Sequence, residues 1–219
     1  MKFFVPKTTR LFNRKIAVNY IKNLKDNEQN KLDGLAFFLE NLILLDNDLN
    51  KHEKELTYLH ELVHFILFLL KDNLTYNEGL VNRISSCIHQ YLRTSFYIDD
   101  SFIPSSFSIF GLLCKVIRVP KLLIKEDDDE IHNGTRELVI LNKKSNIIKV
   151  ANYGLVDSVN FVYKEFKISD DAINVAFFFK LFKIILIELC EQKKLAQDDN
   201  FLYLFASLFY QSLTESKRS

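Results

Sequence analysis

The chain has 219 residues, 48% of them hydrophobic, enough for one large domain or two small ones with a core that needs no disulfide staples. Its 29 basic and 28 acidic residues nearly cancel and neither sign forms a long block, so composition gives no electrostatic footprint for nucleic acid. The apolar run Phe3 to Val5 is too short for a signal peptide, and charges such as Lys180, Lys183 and Glu188 interrupt the longest apolar stretch, so no membrane association is expected.

In chain order, residues 15–20 predict a strand, because Ile16, Val18 and Tyr20 alternate with shorter or polar neighbours. Helix competes there, since Leu11, Phe12, Ile16, Tyr20 and Leu24 also fall at helical spacing. A polar loop, 25–31, ends at the turn signal Asp33-Gly34, and the apolar runs 35–39 and 42–45 read as strands joined by a turn at Glu40-Asn41. Asn50 with Glu53 forms a capping box that opens a helix over 51–71. Its exposed-looking start, with His52, Glu53 and Glu55, reads as a solvated face, whereas from Leu62 onward it is apolar nearly all round and belongs in a core.

Inside that helix lies His60-Glu61-Leu62-Val63-His64. Helical residues four apart share a side, so two imidazoles so spaced can grip one Zn²⁺ while Glu61 reaches the attacking water. Thr75 with Glu78 caps a second helix over 77–94, with Leu80, Ile84, Cys87, Ile88 and Tyr91 on one face. Residues 99–111, with Pro104 and a serine cluster, form the best linker. Cys87, Cys114 and Cys190 are odd in number and far apart in apolar surroundings, the pattern of buried free thiols in a reducing compartment; the expected location is the cytoplasm.

Beyond the linker the plan repeats. Strands are expected at 115–119, 138–141, 147–150 and 159–166, an exposed acidic loop at 126–130 that includes Asp127 to Asp129, and a turn at Asn133-Gly134. Residues 169–171 cap a helix that includes 176–190, and a polar turn over 191–200 leads to a last helix, 201–213. Gly34 follows Ile16 at the interval at which Gly134 follows Val116, and Ile88-His89-Gln90-Tyr91-Leu92 is echoed by Phe209-Tyr210-Gln211-Ser212-Leu213. These echoes read as a diverged internal duplication. The second copy has Phe179-Lys180-Leu181-Phe182-Lys183 where the first has its pentapeptide, and lysines are not ordinary zinc ligands.

Two histidines need a third protein ligand. Glu78 opens the next helix and can fold back over His60 and His64; His89 lies three turns further along. The metzincin pattern is excluded, because Leu70 stands where its third histidine would be. The order of strands, the pentapeptide and then Glu78-Gly79-Leu80-Val81-Asn82 resembles the ImmA/IrrE-type zincins, and more closely the small HExxH proteins encoded by many bacteriophages. The resemblance covers roughly residues 15–94 and lacks the helix-turn-helix segment of better-known members.

That resemblance implies His60, His64 and Glu78 as zinc ligands, Glu61 as general base, Zn²⁺ as cofactor and a protein or peptide substrate. Tyr76, His89, Tyr97 and His132 are the candidate oxyanion donors. The expected fold is α+β, with two tandem zincin-like units: residues 1–100 with the metal motif, and residues 112–219 as a degenerate repeat without ligands. The expected function is a zinc metallopeptidase-like hydrolase of phage origin, acting in the host cytoplasm. The alternative is a non-catalytic protein that binds a host protein on the same scaffold.

Overall fold

The computed structural model describes residues 3–70, 73–96, 103–109, 111–121, 139–142, 147–156, 164–167 and 169–218. Its architecture is mixed α+β, with two small sheets and helices packed on them. Among the described residues no helix is long and apolar enough to cross a membrane. Strands β1 (Thr8–Leu11) and β2 (Arg14–Ile21) form an antiparallel hairpin; β2 runs parallel to β4 (Leu42–Asp46), and β3 (Gly34–Phe37) lies antiparallel on the outer side of β4. The sheet order is β1-β2-β4-β3, which leaves β3 as an edge.

Residues 15–20 are strand because Ile16 and Val18 are buried while Lys15 and Asn19 are exposed, the period of a half-buried strand. Asp33-Gly34 is not a turn: Gly34 opens β3 and pairs with Leu45. Helix α1 (Lys51–Leu69) begins at the expected capping box, in which the Asn50 side chain accepts from the His52 and Glu53 amides and the Glu53 carboxylate accepts from the Asn50 amide. Its Leu59, Leu62, Val63, Phe65 and Ile66 share one core with Ile16, Ile43 and Leu45 of the sheet. Each such side chain contributes about 1.5–3 kcal/mol by leaving water.

A 3-10 turn (Asn73–Tyr76) returns the chain to α2 (Glu78–Thr94). Its cap is Asn77, whose side chain accepts from the Leu80 amide at 3.0 Å, and not Thr75 as the spacing suggests. Leu80, Ile84, Cys87, Ile88 and Tyr91 are buried, the face read from the sequence. Glu55 corrects a second expectation: it is buried, not solvated.

The second sheet contains β5 (Ser106–Ile109), β6 (Leu112–Lys121), β7 (Val139–Asn142), β8 (Ile147–Val156) and β9 (Lys164–Lys167). β5 thus takes up part of the expected linker, and 99–102, 126–130 and Asn133-Gly134 lie outside the described residues. Its first four strands are ordered β5-β6-β8-β7, and β9 pairs with β8. Directions and register match the first sheet. The hairpins close at Leu11 opposite Arg14 and Ile109 opposite Leu112. The parallel pairs begin at Ala17 with Leu42 and at Lys115 with Ile147. The edge pairs run from Gly34 with Leu45 to Phe37 with Leu42, and from Val139 with Val150 to Asn142 with Ile147. In this register Ile16 corresponds to Cys114 and Val18 to Val116, two residues from the match suggested by the glycine spacing.

Helix α3 (Asp170–Ile184) starts at Ser169, which accepts from the Ala172 amide, and runs into a π-helical segment (Ile185–Leu189). The short α4 (Lys193–Ala196) sits in the expected polar turn, and α5 (Asp199–Arg218) packs against α3 and β1. Gln211 fastens α5 to the first hairpin, accepting from the Phe12 amide at 2.9 Å and donating to the Phe12 carbonyl at 3.3 Å.

Candidate metal centre

Helix α1 carries His60 and His64 one turn apart, and the 3-10 turn swings Glu78, the first residue of α2, back over them. The two Nε2 atoms are 2.9 Å apart. The Glu78 carboxylate oxygens stand 3.3 Å from His60 Nε2 and 3.4 Å from His64 Nε2. Ligands of a tetrahedral zinc at the usual bond lengths are separated by about 3.3 Å, so the three groups already have the spacing of three corners of such a site.

His64 Nδ1 is hydrogen-bonded to the Thr75 carbonyl, which can only accept, so in the neutral ring the proton sits on Nδ1 and Nε2 presents its lone pair. Burial first, and then the neighbouring His64, lower the His60 pKa and favour its neutral form. Glu78 completes the set with a negative charge at the mouth, where it is 66% exposed.

Glu61 points from the same helix toward β3 and accepts a backbone hydrogen bond from Ala36. Burial, followed by the Glu78 carboxylate, pushes its carboxyl up to about 8. The cavity that joins these groups holds about 570 Å³ and is walled by β3 with its approach (Asp33, Gly34, Ala36, Phe38), by α1 and by α2 (Asn82, Ser85). Among its described lining residues there is no lysine or arginine, so no protein cation competes for the three ligand atoms.

A second group, His52, Glu55 and His89, is also close enough to hold an ion, and sequence reasoning missed it because its members come from opposite ends of two helices. Here the cation position is taken. Arg93 Nη1 lies 3.0 Å from His52 Nδ1 and 3.5 Å from Glu55, and Lys51 Nζ lies 3.8 Å from the other Glu55 oxygen. His89 therefore belongs to this outer cluster and not to the His60 site. Of the oxyanion candidates, Tyr76 lines the cavity, while Tyr97 and His132 lie outside the described residues.

No family model matches the chain, and neither the curated proteins nor the solved structures give a match. The protein is thus a mixed α+β fold in which, among the described residues, two histidine-carboxylate groups are close enough to hold a metal ion, and Arg93 and Lys51 crowd one of them.

Proposed function

We propose that the protein is a zinc-dependent peptide hydrolase of the zincin kind, with His60, His64 and Glu78 as the metal ligands and Glu61 as the general base. The observation that carries this reading is the convergence of two imidazoles and one carboxylate, 2.9–3.4 Å apart, beside a buried glutamate under a sheet edge. Zn²⁺ bound there would polarise a substrate carbonyl and lower the pKa of water to about 7.

The chain's own groups supply the rest. Without metal the Glu61 carboxyl is pushed up to about 8; a cation bound beside it would favour the carboxylate form, which would take a proton from water and return it to the leaving amine. The Ala36 amide holds that carboxylate in place. Among the described residues the outer side of β3 has no partner strand, and an extended peptide laid along it would pass the proposed metal ligands as an added strand.

The two-unit reading, residues 1–100 and 112–219, is part of the proposal, and three features support it. The two sheets share order, direction and register. Asn50 and Ser169 each cap the helix that follows the last strand of their sheet, accepting from the amide three positions on. Counted from those caps, and from the starts of α2 and α5, His52, Glu55 and His89 correspond to Asp171, Asn174 and Tyr210. Those three also touch: Tyr210 donates to Asp171 at 2.6 Å and accepts from Asn174 at 3.1 Å. On this reading the first unit alone hydrolyses, and the three buried free cysteines suit work in a host cytoplasm.

A second reading, a non-catalytic binder of a host protein, is favoured by exposed Tyr76, which lines the cavity, and exposed Leu39, next in sequence to the lining Phe38, 76% and 81% accessible. Glu61→Gln separates the two. The hydrolase reading expects zinc to be retained while cleavage of a peptide library falls by about 10²–10⁴-fold; unchanged cleavage or unchanged biological effect in that variant rejects it.

A further inference from the structure

The carboxylate that opens α5 has the same relation to α3 as Glu78 has to α1. Lys183 Nζ lies 3.3 Å from Asp199 Oδ1, and His64 Nε2 lies 3.4 Å from Glu78 Oε1. His64 and Lys183 each stand fourteen residues after their helix caps, Asn50 and Ser169, and His60 and Phe179 each stand ten after. Glu78 is the first residue of α2 and Asp199 of α5, the next long helix after α3, and the residue before each, Asn77 or Asp198, accepts from the amide three positions on. The two carboxylates are equally open to solvent, at 66% and 69%.

The remaining positions correspond as well. Leu62 and Val63 are buried under the first site, and Leu181 and Phe182 under the second. The His60 ring lies 4.6 Å from that of His64, and the Phe179 ring lies 5.6 Å from Lys183 Nζ. An aromatic face and a carboxylate both attract a cation, and here the chain supplies its own.

We infer that Lys183 replaces the metal in the second unit: its ammonium, held between Phe179 and Asp199, is the internal counterpart of a zinc ion held by His60, His64 and Glu78. The inference rests on the zinc reading of the first site. It goes further in assigning a defined site, closed by a protein cation, to a half of the chain that the motif leaves blank. Lys180 stands where the first unit has Glu61, so that position supplies no carboxylate base. It also follows that the three side chains form one exchangeable set.

The test is to carry the first set into the second unit of the full chain, as Phe179→His/Lys183→His/Asp199→Glu. A milder variant, Phe179→His/Lys183→His, keeps Asp199 as the carboxylate. Zinc is measured by elemental analysis after equilibration with the metal and desalting, and folding by circular dichroism. The expected result is one zinc per chain more than wild type, and one zinc that survives when His60→Ala/His64→Ala is added. If wild type holds one zinc and neither variant gains another, the inference fails while the first site stands. If wild type holds none, it is the zinc reading that fails. Loss of fold in both variants also overturns the inference, since an exchangeable set must be tolerated.

Discussion

Gly34 and Glu61 are packed so closely that a β-carbon on residue 34 would stand 2.9 Å from a Glu61 carboxylate oxygen and 2.5 Å from Thr57 Cγ2. The glycine is thus what lets β3 lie against the helix that carries the metal motif, and what lets the Ala36 amide reach Glu61. Gly34→Ala has to push Glu61 or the edge strand aside, an overpacking that costs about 1–3 kcal/mol. We expect a lower melting temperature and at least a tenfold loss of peptide cleavage, with zinc content kept, because the atoms nearest that β-carbon belong to Thr57 and Glu61 and not to His60, His64 or Glu78. Melting curves and elemental analysis of the purified variant check both parts.

The raised pKa of Glu61 gives the metal-free protein a pH signature. Its folded value is about 8 against an ordinary 4.5, so the folded state holds a proton that the unfolded chain gives up. Stability from this group is complete below about 4.5 and is lost as pH rises through 8. In Glu61→Gln that slope disappears. Denaturant titrations of both apo proteins from pH 5 to 9, compared pairwise, measure the difference.

The outer cluster joins the start of α1 to the end of α2 and has no part in the proposed metal chemistry. Glu55→Ala leaves Arg93, Lys51 and His89 without their shared carboxylate, and removal of a buried ion-pair partner of this kind costs about 3–5 kcal/mol at most. The expected result is a clear loss of stability with unchanged zinc stoichiometry. A parallel loss of zinc in the folded variant would move the metal to the wrong cluster.

Asp46, at the end of β4, is fully buried; it accepts from the Asp48 amide at 2.9 Å and from the amides of Asn23 and Leu24, with Lys31 Nζ 3.9 Å away. These bonds, that from Asp48 first, hold its carboxyl below the ordinary 3.8. Its contribution is therefore present above that value and is lost as pH falls through the lower, folded one. Asp46→Asn lowers the melting temperature at pH 7 by several degrees and flattens the acid limb of the stability profile, both visible by calorimetry.

Much of the site is written in local sequence. The Asn50-Glu53 capping box, the i, i+4 histidines and the nearby Glu78 are short-range patterns, and they place the three proposed ligands on two consecutive α-helices. What the sequence hides is made by backbone or by distant partners. Thr75 matters through its carbonyl, which fixes His64, and not through a capping side chain. Strand β1 is only four residues long, Thr8-Thr9-Arg10-Leu11, and is strand because β2 pairs with it. Glu55 looks like a solvated residue until α2 brings Arg93 and His89 against it. The match between the two sheets lies in register, which strand-by-strand reading of hydrophobic runs does not fix.

Zinc content tests the central claim most directly. Full-length protein purified without added metal or chelator should carry close to one zinc per chain, and His60→Ala, His64→Ala and Glu78→Ala should each lose most of it while remaining folded. Folded wild-type protein that holds no zinc, and takes up none when the metal is supplied, would contradict the account.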